Sequence, residues 1–178
     1  MSKDSKDDQL FFLTKSEKQK KWGKGPWVDE PDELIWTDKN TGYDLAIARN
    51  SLGNLCGYVC VNKNKFYPFK NGIKAVRKEN IVNKTFNIKE IEKLYSPHGG
   101  VTYIESYLRL HNFSEVSGRY YWIGFDCAHW GDLVPGLISI LNNSEFNQKH
   151  DTDFSTYRDV SYVKKQCELL AKEIKDSL

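Results

Sequence analysis

Long apolar runs are missing from this sequence. No stretch approaches the ~20 consecutive apolar residues that a membrane-spanning helix needs. The opening residues, MSKDSKDDQL, mix charges of both signs and lack the apolar core of a secretory signal. We therefore expect a protein without membrane association that works in the cytoplasm.

Cysteine is scarce, and its spacing suggests neither disulfides nor zinc. The four cysteines stand at positions 56, 60, 127 and 167. In a chain without an export signal, such residues are interpreted as reduced thiols. Cys56 and Cys60 are four residues apart in a predicted strand, which puts both on one face, and the other two have no matching spacing. This pattern favours core packing over a metal site.

A strong excess of charge is also absent, since the formal net charge is +2. Residues 1–24 carry seven Lys against four Asp or Glu, so the remainder is nearly neutral. Binding to nucleic acid is not expected, because it requires a basic stripe on the folded surface. We predict that residues 1–24 form a flexible basic tail and that residues 25–178 form a single domain.

The patterns after residue 25 predict an α+β fold. Short alternating runs at 33–38, 45–50, 56–61, 101–110 and 120–127 are typical of strands, and the turn-rich links between the first three predict hairpins. Apolar residues recur every three or four positions across 157–177, as in an amphipathic helix with one buried stripe. We therefore predict a mostly antiparallel sheet of about five strands, with this C-terminal helix packed on one face.

One candidate site motif lies at residues 98–102, HGGVT, just before the strand predicted from Val101. His98 is an acid–base residue at a bend. The paired Gly99 and Gly100 allow close approach of a ligand. Thr102 follows, and its hydroxyl group is expected to contact the ligand. The alternative is a tight turn in which the histidine only caps the C-terminus of a short helix, predicted to begin after Asn87 and to end before Pro97.

The densest group of functional side chains is at residues 122–132, WIGFDCAHWGD. Asp126, His129 and Asp132 fall at the end of a predicted strand, where a carboxylate that orients an imidazole is typical of general acid–base catalysis. Trp122 is assigned to ligand stacking. Three alternatives stay open: a hydrogen-bonded turn, a divalent metal held by these three residues and His98, and Cys127 as a nucleophile.

Arg158 completes the candidate set, because it stands at the start of the C-terminal helix. The N-terminus of a helix attracts anions, and an arginine there adds a bidentate contact to phosphate. The alternative is an exposed helix cap with a surface Arg–Asp pair. If the strand after His98 and the strand before His129 are antiparallel neighbours, both histidines meet at one edge of the sheet. We expect the two imidazoles to lie within ~12 Å of each other, as one small ligand requires.

Five motifs occur in order along the chain: residues 25–32 (GPWVDEPD), 52–59 (LGNLCGYV), 98–102 (HGGVT), 122–132 (WIGFDCAHWGD) and 157–163 (YRDVSYV). Together they resemble a family of small proteins encoded by phages and prophages. The resemblance covers residues 25–178. It implies a counter-defence protein that binds or cleaves the nucleotide signals of bacterial immunity, in the cytoplasm of the host.

Three functions are compatible with these observations. The first is a hydrolase that cleaves a phosphodiester or related bond in a small nucleotide, with His98 and His129 as acid and base. The second is a protein that sequesters such a nucleotide without cleaving it. The third is a phage structural or host-factor-binding protein that uses the apolar patch at residues 10–13. The sequence also allows a homo-oligomer, and it gives no cofactor beyond the metal alternative.

Overall fold

The computed structural model describes residues 13–62, 95–105, 108, 110, 120–143 and 155–176. Its elements, in chain order, are helix α1 (Lys15–Trp22), a 3₁₀ turn (Pro26–Val28), strands β1 (Glu33–Thr37), β2 (Asp44–Arg49), β3 (Leu55–Asn62), β4 (Tyr103–Glu105) and β5 (Tyr120–Asp126), and helices α2 (Pro135–Asn143) and α3 (Val160–Asp176). The predicted α+β class is confirmed. None of the helices within these ranges is both long and apolar enough to cross a bilayer.

The five strands form one antiparallel sheet in the order β1-β2-β3-β5-β4. β1, β2 and β3 follow one another as hairpins, as their short turn-rich links predict. Within the strand predicted over 101–110, the structure describes β4 as Tyr103–Glu105. It pairs with β5 through Tyr103, Ile104 and Glu105, while residues 106, 107 and 109 of the predicted strand lie outside the described residues.

The main core lies between one face of the sheet and α3, as the helical stripe predicts. Val163, Cys167, Leu170 and Ile174 are fully buried there. Each such side chain stabilises the fold by about 1.5–3 kcal/mol through burial. Gly57 on β3 lets the helix come close, because a Cβ at this position would lie 2.6 Å from the Cys167 sulfur.

The opposite face of the sheet is also covered. Trp122 is only 1% exposed and packs in a second apolar cluster with Ala46, Ala48, Cys60, Leu108 and Leu110. The structure thus places Trp122, which is predicted to bind a ligand, in the core. Burial of the indole among these side chains makes it part of the packing on this face of the sheet.

The predicted flexible tail of residues 1–24 does not match the structure over its second half. Thr14 and Glu17 form a reciprocal capping box that starts α1, and Trp22 is buried at the end of that helix. Lys18 is buried too, with its ammonium 2.7 Å from a carboxylate oxygen of Asp32. α1 therefore belongs to the folded domain, because its burial outweighs a lysine-rich composition. Residues 1–12 lie outside the described residues.

A buried charge network joins the N-terminal segment to the start of α3. Arg49 donates to Asp32 at 2.8 Å, to Glu30 at 2.9 Å and to the hydroxyl of Tyr157 at 2.7 Å. The second carboxylate oxygen of Glu30 accepts from the backbone N–H of Val160 at 3.1 Å, in the first turn of α3. Glu30 thus satisfies a helix N–H that would otherwise lack a partner and neutralises part of the arginine charge.

Candidate functional site

Three segments converge at one edge of the sheet. Residues 96–100 lead into β4, residues 127–132 follow β5, and residues 156–159 lead into α3. The backbone N–H of Thr102 donates to the carbonyl of Gly124 at 2.9 Å, which extends the pairing of β4 and β5 toward this edge. The start of β4 and the end of β5 are therefore neighbours, as expected for an antiparallel pair.

Asp132 is the centre of the arrangement, and its side chain is 1% exposed. One carboxylate oxygen lies 2.7 Å from Nε2 of His98 and accepts from the backbone N–H of His129 at 3.0 Å. The other oxygen accepts from Nε of Arg158 at 2.8 Å. Burial acts to raise the pKa of Asp132, but the hydrogen bonds from His98, Arg158 and the His129 backbone outweigh it, so the pKa lies below its usual value. The carboxylate is thus ionised at neutral pH.

His98 is held at both ring nitrogens. Nε2 faces Asp132, and Nδ1 lies 2.9 Å from the hydroxyl of Tyr162. Because an ionised carboxylate only accepts hydrogen bonds, the hydrogen of a neutral His98 must be on Nε2. Nδ1 is then an acceptor, and the Tyr162 hydroxyl donates to it. The backbone N–H of His98 also donates to the side chain of Gln166 at 3.0 Å, which ties the turn to α3.

His129 lies beside His98, with ring centroids 5.6 Å apart. The two imidazoles therefore meet the expected ~12 Å limit for a shared small ligand. The His129 side chain is 33% exposed, and its Nε2 is 3.8 Å from an oxygen of Asp126, too far for a hydrogen bond. This nitrogen is buried and has no hydrogen-bond partner among the described residues, whereas both ring nitrogens of His98 are engaged.

The absence of a side chain at Gly99 leaves room for the imidazole of His129. A Cβ at Gly99 would lie 1.9 Å from Nε2 of His129, and the residue has φ +68°. Both features require glycine. Gly100 has φ +88°, and its N–H closes the turn on the carbonyl of Pro97 at 2.8 Å. These glycines shape the turn on which the imidazoles rest.

Asp126 and Thr102 stabilise the turn after β5. The Thr102 hydroxyl donates to Asp126 at 2.9 Å, and the backbone N–H of Ala128 donates to the other carboxylate oxygen at 3.0 Å. The partly exposed carboxylate faces His129 at 3.8 Å. Asp126 thus holds the turn that carries His129, and Thr102 fixes the position of Asp126.

Two residues that sequence reasoning missed complete the site. Tyr162 and Gln166 both contact His98 from α3, and the guanidinium of Arg158 lies 4.8 Å from the centre of the Tyr162 ring. The signal was the spacing of 158, 162 and 166, which forms a polar row every four residues beside the apolar stripe. Trp130, 100% exposed in the same turn as His129, was not singled out either.

Neither chemical alternative for this motif matches the geometry. Cys127 is buried, and burial raises the pKa of its thiol, so a thiolate nucleophile is disfavoured. Across the described ranges, no group of three or more His, Cys, Asp or Glu side chains is arranged to hold a metal ion. Asp132 instead directs its oxygens to Arg158, His98 and a backbone N–H.

Most of the predicted site residues come together in space. His98, His129 and Arg158 contact Asp132 directly, Gly99 lies against His129 with Gly100 next to it in the turn, and Asp126 and Thr102 are bonded to each other beside His129. Trp122 lies apart from them in the second apolar cluster. Comparison with known proteins gives no match to any family model, curated protein or solved structure.

Proposed function

We propose that this protein is a hydrolase that cleaves a phosphodiester or related bond in a small nucleotide, cyclic nucleotides included. The observation that carries the proposal is the pair of imidazoles 5.6 Å apart, each facing its own carboxylate, beside the guanidinium of Arg158. Phosphoryl transfer needs proton donors and acceptors on both sides of the phosphorus and a cation near its oxygens. The choice of a nucleotide immune signal comes from the resemblance to phage-encoded proteins.

Each group has a role in this reaction. The His129 side chain is one-third exposed, but its Nε2 is buried without a hydrogen-bond partner among the described residues, so proton exchange with a ligand uses the other ring nitrogen, Nδ1. His98, held by Asp132, serves as its counterpart in acid–base chemistry. Arg158 contacts the phosphate, and the exposed indole of Trp130 offers a stacking surface for a base.

A second function, sequestration without cleavage, is favoured by one observation. Both ring nitrogens of His98 are engaged within the protein, and Asp132 is satisfied by three donors. Such a network holds a rigid binding surface without any need for proton transfer. His129, Arg158 and Trp130 would then bind phosphate and base.

Incubation with a panel of cyclic and linear nucleotides, followed by chromatography before and after denaturation, separates the two functions. A new product shows a hydrolase, and intact nucleotide released only on denaturation shows a sequestering protein. His129→Gln should lower turnover by roughly 10²-fold or more. Lys172→Gln, at an exposed position on α3, is the matched control and should change nothing. If no nucleotide is bound or cleaved, both functions are refuted.

A further inference from the structure

The side chains of Asp132, His98 and Tyr162 form a continuous hydrogen-bonded row. Asp132 lies 2.7 Å from Nε2 of His98, and Nδ1 of the same ring lies 2.9 Å from the Tyr162 hydroxyl. A carboxylate that orients an imidazole, whose other nitrogen faces a hydroxyl, is the arrangement that activates a nucleophile. The order is set by the ionised Asp132, which fixes the acceptor nitrogen of His98 toward Tyr162.

We propose that Tyr162 is a catalytic nucleophile and that the reaction proceeds through a covalent phosphotyrosine intermediate. This inference rests on the proposed function for its substrate class, a phosphodiester, but the activated hydroxyl is a property of the three side chains themselves. Tyrosine is among the residues that form covalent intermediates when a base is adjacent.

The surroundings of Tyr162 fit a nucleophile better than a purely structural hydroxyl. The residue is half-buried, and its ring packs against the main core. The guanidinium of Arg158 lies 4.8 Å from the ring centre and is partly exposed. A cation there stabilises negative charge on the phenol oxygen and on an incoming phosphate. The centre of the His129 ring lies 5.6 Å from that of His98 and supplies the second imidazole that the reaction needs.

The two steps balance with water as the only co-reactant. First, the Tyr162 oxygen bonds to phosphorus while the bond from phosphorus to the leaving alcohol breaks. The Tyr162 proton passes to Nδ1 of His98, and a protonated His129 donates to the leaving oxygen. In the second step a water molecule gives a proton to His129 while the water oxygen bonds to phosphorus. The bond from phosphorus to Tyr162 breaks, and His98 returns its proton to the phenol oxygen.

An experiment that needs no natural substrate tests the activated hydroxyl. The probe is 4-(2-aminoethyl)benzenesulfonyl fluoride. Its sulfur bonds to the tyrosine oxygen as the sulfur–fluorine bond breaks and the phenol proton passes to the base. Peptide mapping by mass spectrometry should show Tyr162 modified roughly 10²-fold faster than Tyr43, another partly buried tyrosine. His98→Gln should remove this difference. Equal rates at Tyr162 and Tyr43 would overturn the inference.

A second measurement uses bis(4-nitrophenyl) phosphate, a generic phosphodiester. Turnover should be lost in Tyr162→Phe and retained in Tyr43→Phe, and acid quenching of the wild type should trap the nitrophenyl phosphate adduct on Tyr162. Unchanged turnover in Tyr162→Phe overturns the inference, whether or not nucleotides are cleaved. Rapid labelling of Tyr162 in a protein that cleaves no nucleotide supports the activated tyrosine and refutes only the nucleotide hydrolase.

Discussion

Replacement of Gly99 by alanine should displace His129 while leaving the domain folded. The added Cβ would lie 1.9 Å from Nε2 of His129, where ordinary contacts begin near 3.4 Å. The imidazole must therefore move by about 1.5 Å. Misplacement of a catalytic group by ~1 Å can cost roughly 10²-fold in rate. Because the His129 side chain is one-third exposed, it can swing toward solvent at little cost in stability.

The backbone contribution is separated by a matched control, Gly42→Ala. Gly42 has φ +77°, close to the +68° of Gly99, but nothing lies within 4 Å of a Cβ at that position. An alanine in this conformation costs about 1–2 kcal/mol. Urea unfolding should therefore show a similar loss of about 1–2 kcal/mol for both variants.

Only Gly99→Ala should change the site. In ¹H–¹³C NMR spectra the imidazole resonances of His129 should shift in Gly99→Ala and stay in place in Gly42→Ala. Turnover or nucleotide binding should fall by roughly 10²-fold in the first variant alone. If Gly99→Ala, like Gly42→Ala, leaves the His129 resonances unchanged, the contact between Gly99 and His129 does not position the imidazole ring.

Three further results are expected. Trp22→Ala should lower the free energy of unfolding by about 3–5 kcal/mol. Replacement of the exposed Lys20 by alanine should change it by less than ~0.5 kcal/mol. If the effect of Trp22→Ala is equally small, α1 is not packed on the domain and the predicted flexible tail is right. The lowered pKa of Asp132 means that its charge stabilises the fold above the unfolded carboxyl pKa of ~3.9 and that this stability is lost as pH falls through the folded value. Asp132→Asn should thus lower the free energy of unfolding by about 3 kcal/mol at pH 7 and by progressively less below pH ~4. A decrease that does not depend on pH would show that the Asp132 carboxylate is not ionised in the folded protein. All four cysteines are buried, and burial raises the pKa of Cys167 to about 12; Ellman's reagent should therefore react slowly at pH 8 until denaturant is added, and a fast native reaction would exclude this packing.

The sheet and the last helix were predictable because their patterns are local. Alternation fixes which side chains share a face, and the 3.6-residue period fixes the buried stripe of α3. Alternation does not tell whether a face is open, however. Trp122 belongs to the same motif, 122–132, as Asp126 and His129, but a second apolar cluster covers its face of the sheet. Burial on both faces of a sheet depends on distant residues such as Leu108 and Leu110.

The site was partly predictable for the same reason. His98, His129 and Asp132 stood out as polar groups at strand ends, and one antiparallel pairing was enough to bring them together. Tyr162 did not stand out, because its contact with His98 depends on how α3 is rotated against the sheet. The sequence of α1 contains a capping box of Thr14 and Glu17. Its lysine-rich composition nevertheless predicts a flexible tail, because composition does not show that Trp22 is buried.

The carboxylate of Glu30 sets an order of events for folding. It caps α3 through Val160, 130 residues further along the chain, and bonds to Tyr157 across 127 residues. Contacts of such sequence separation form late, since the loop between them must close first. During synthesis, Arg49, Asp32 and Glu30 leave the ribosome long before their C-terminal partners exist. The bonds of Arg49 to Asp32 and Glu30 lie within the N-terminal segment and need no C-terminal partner, whereas the bonds of Glu30 to Tyr157 and Val160 require the last helix to dock.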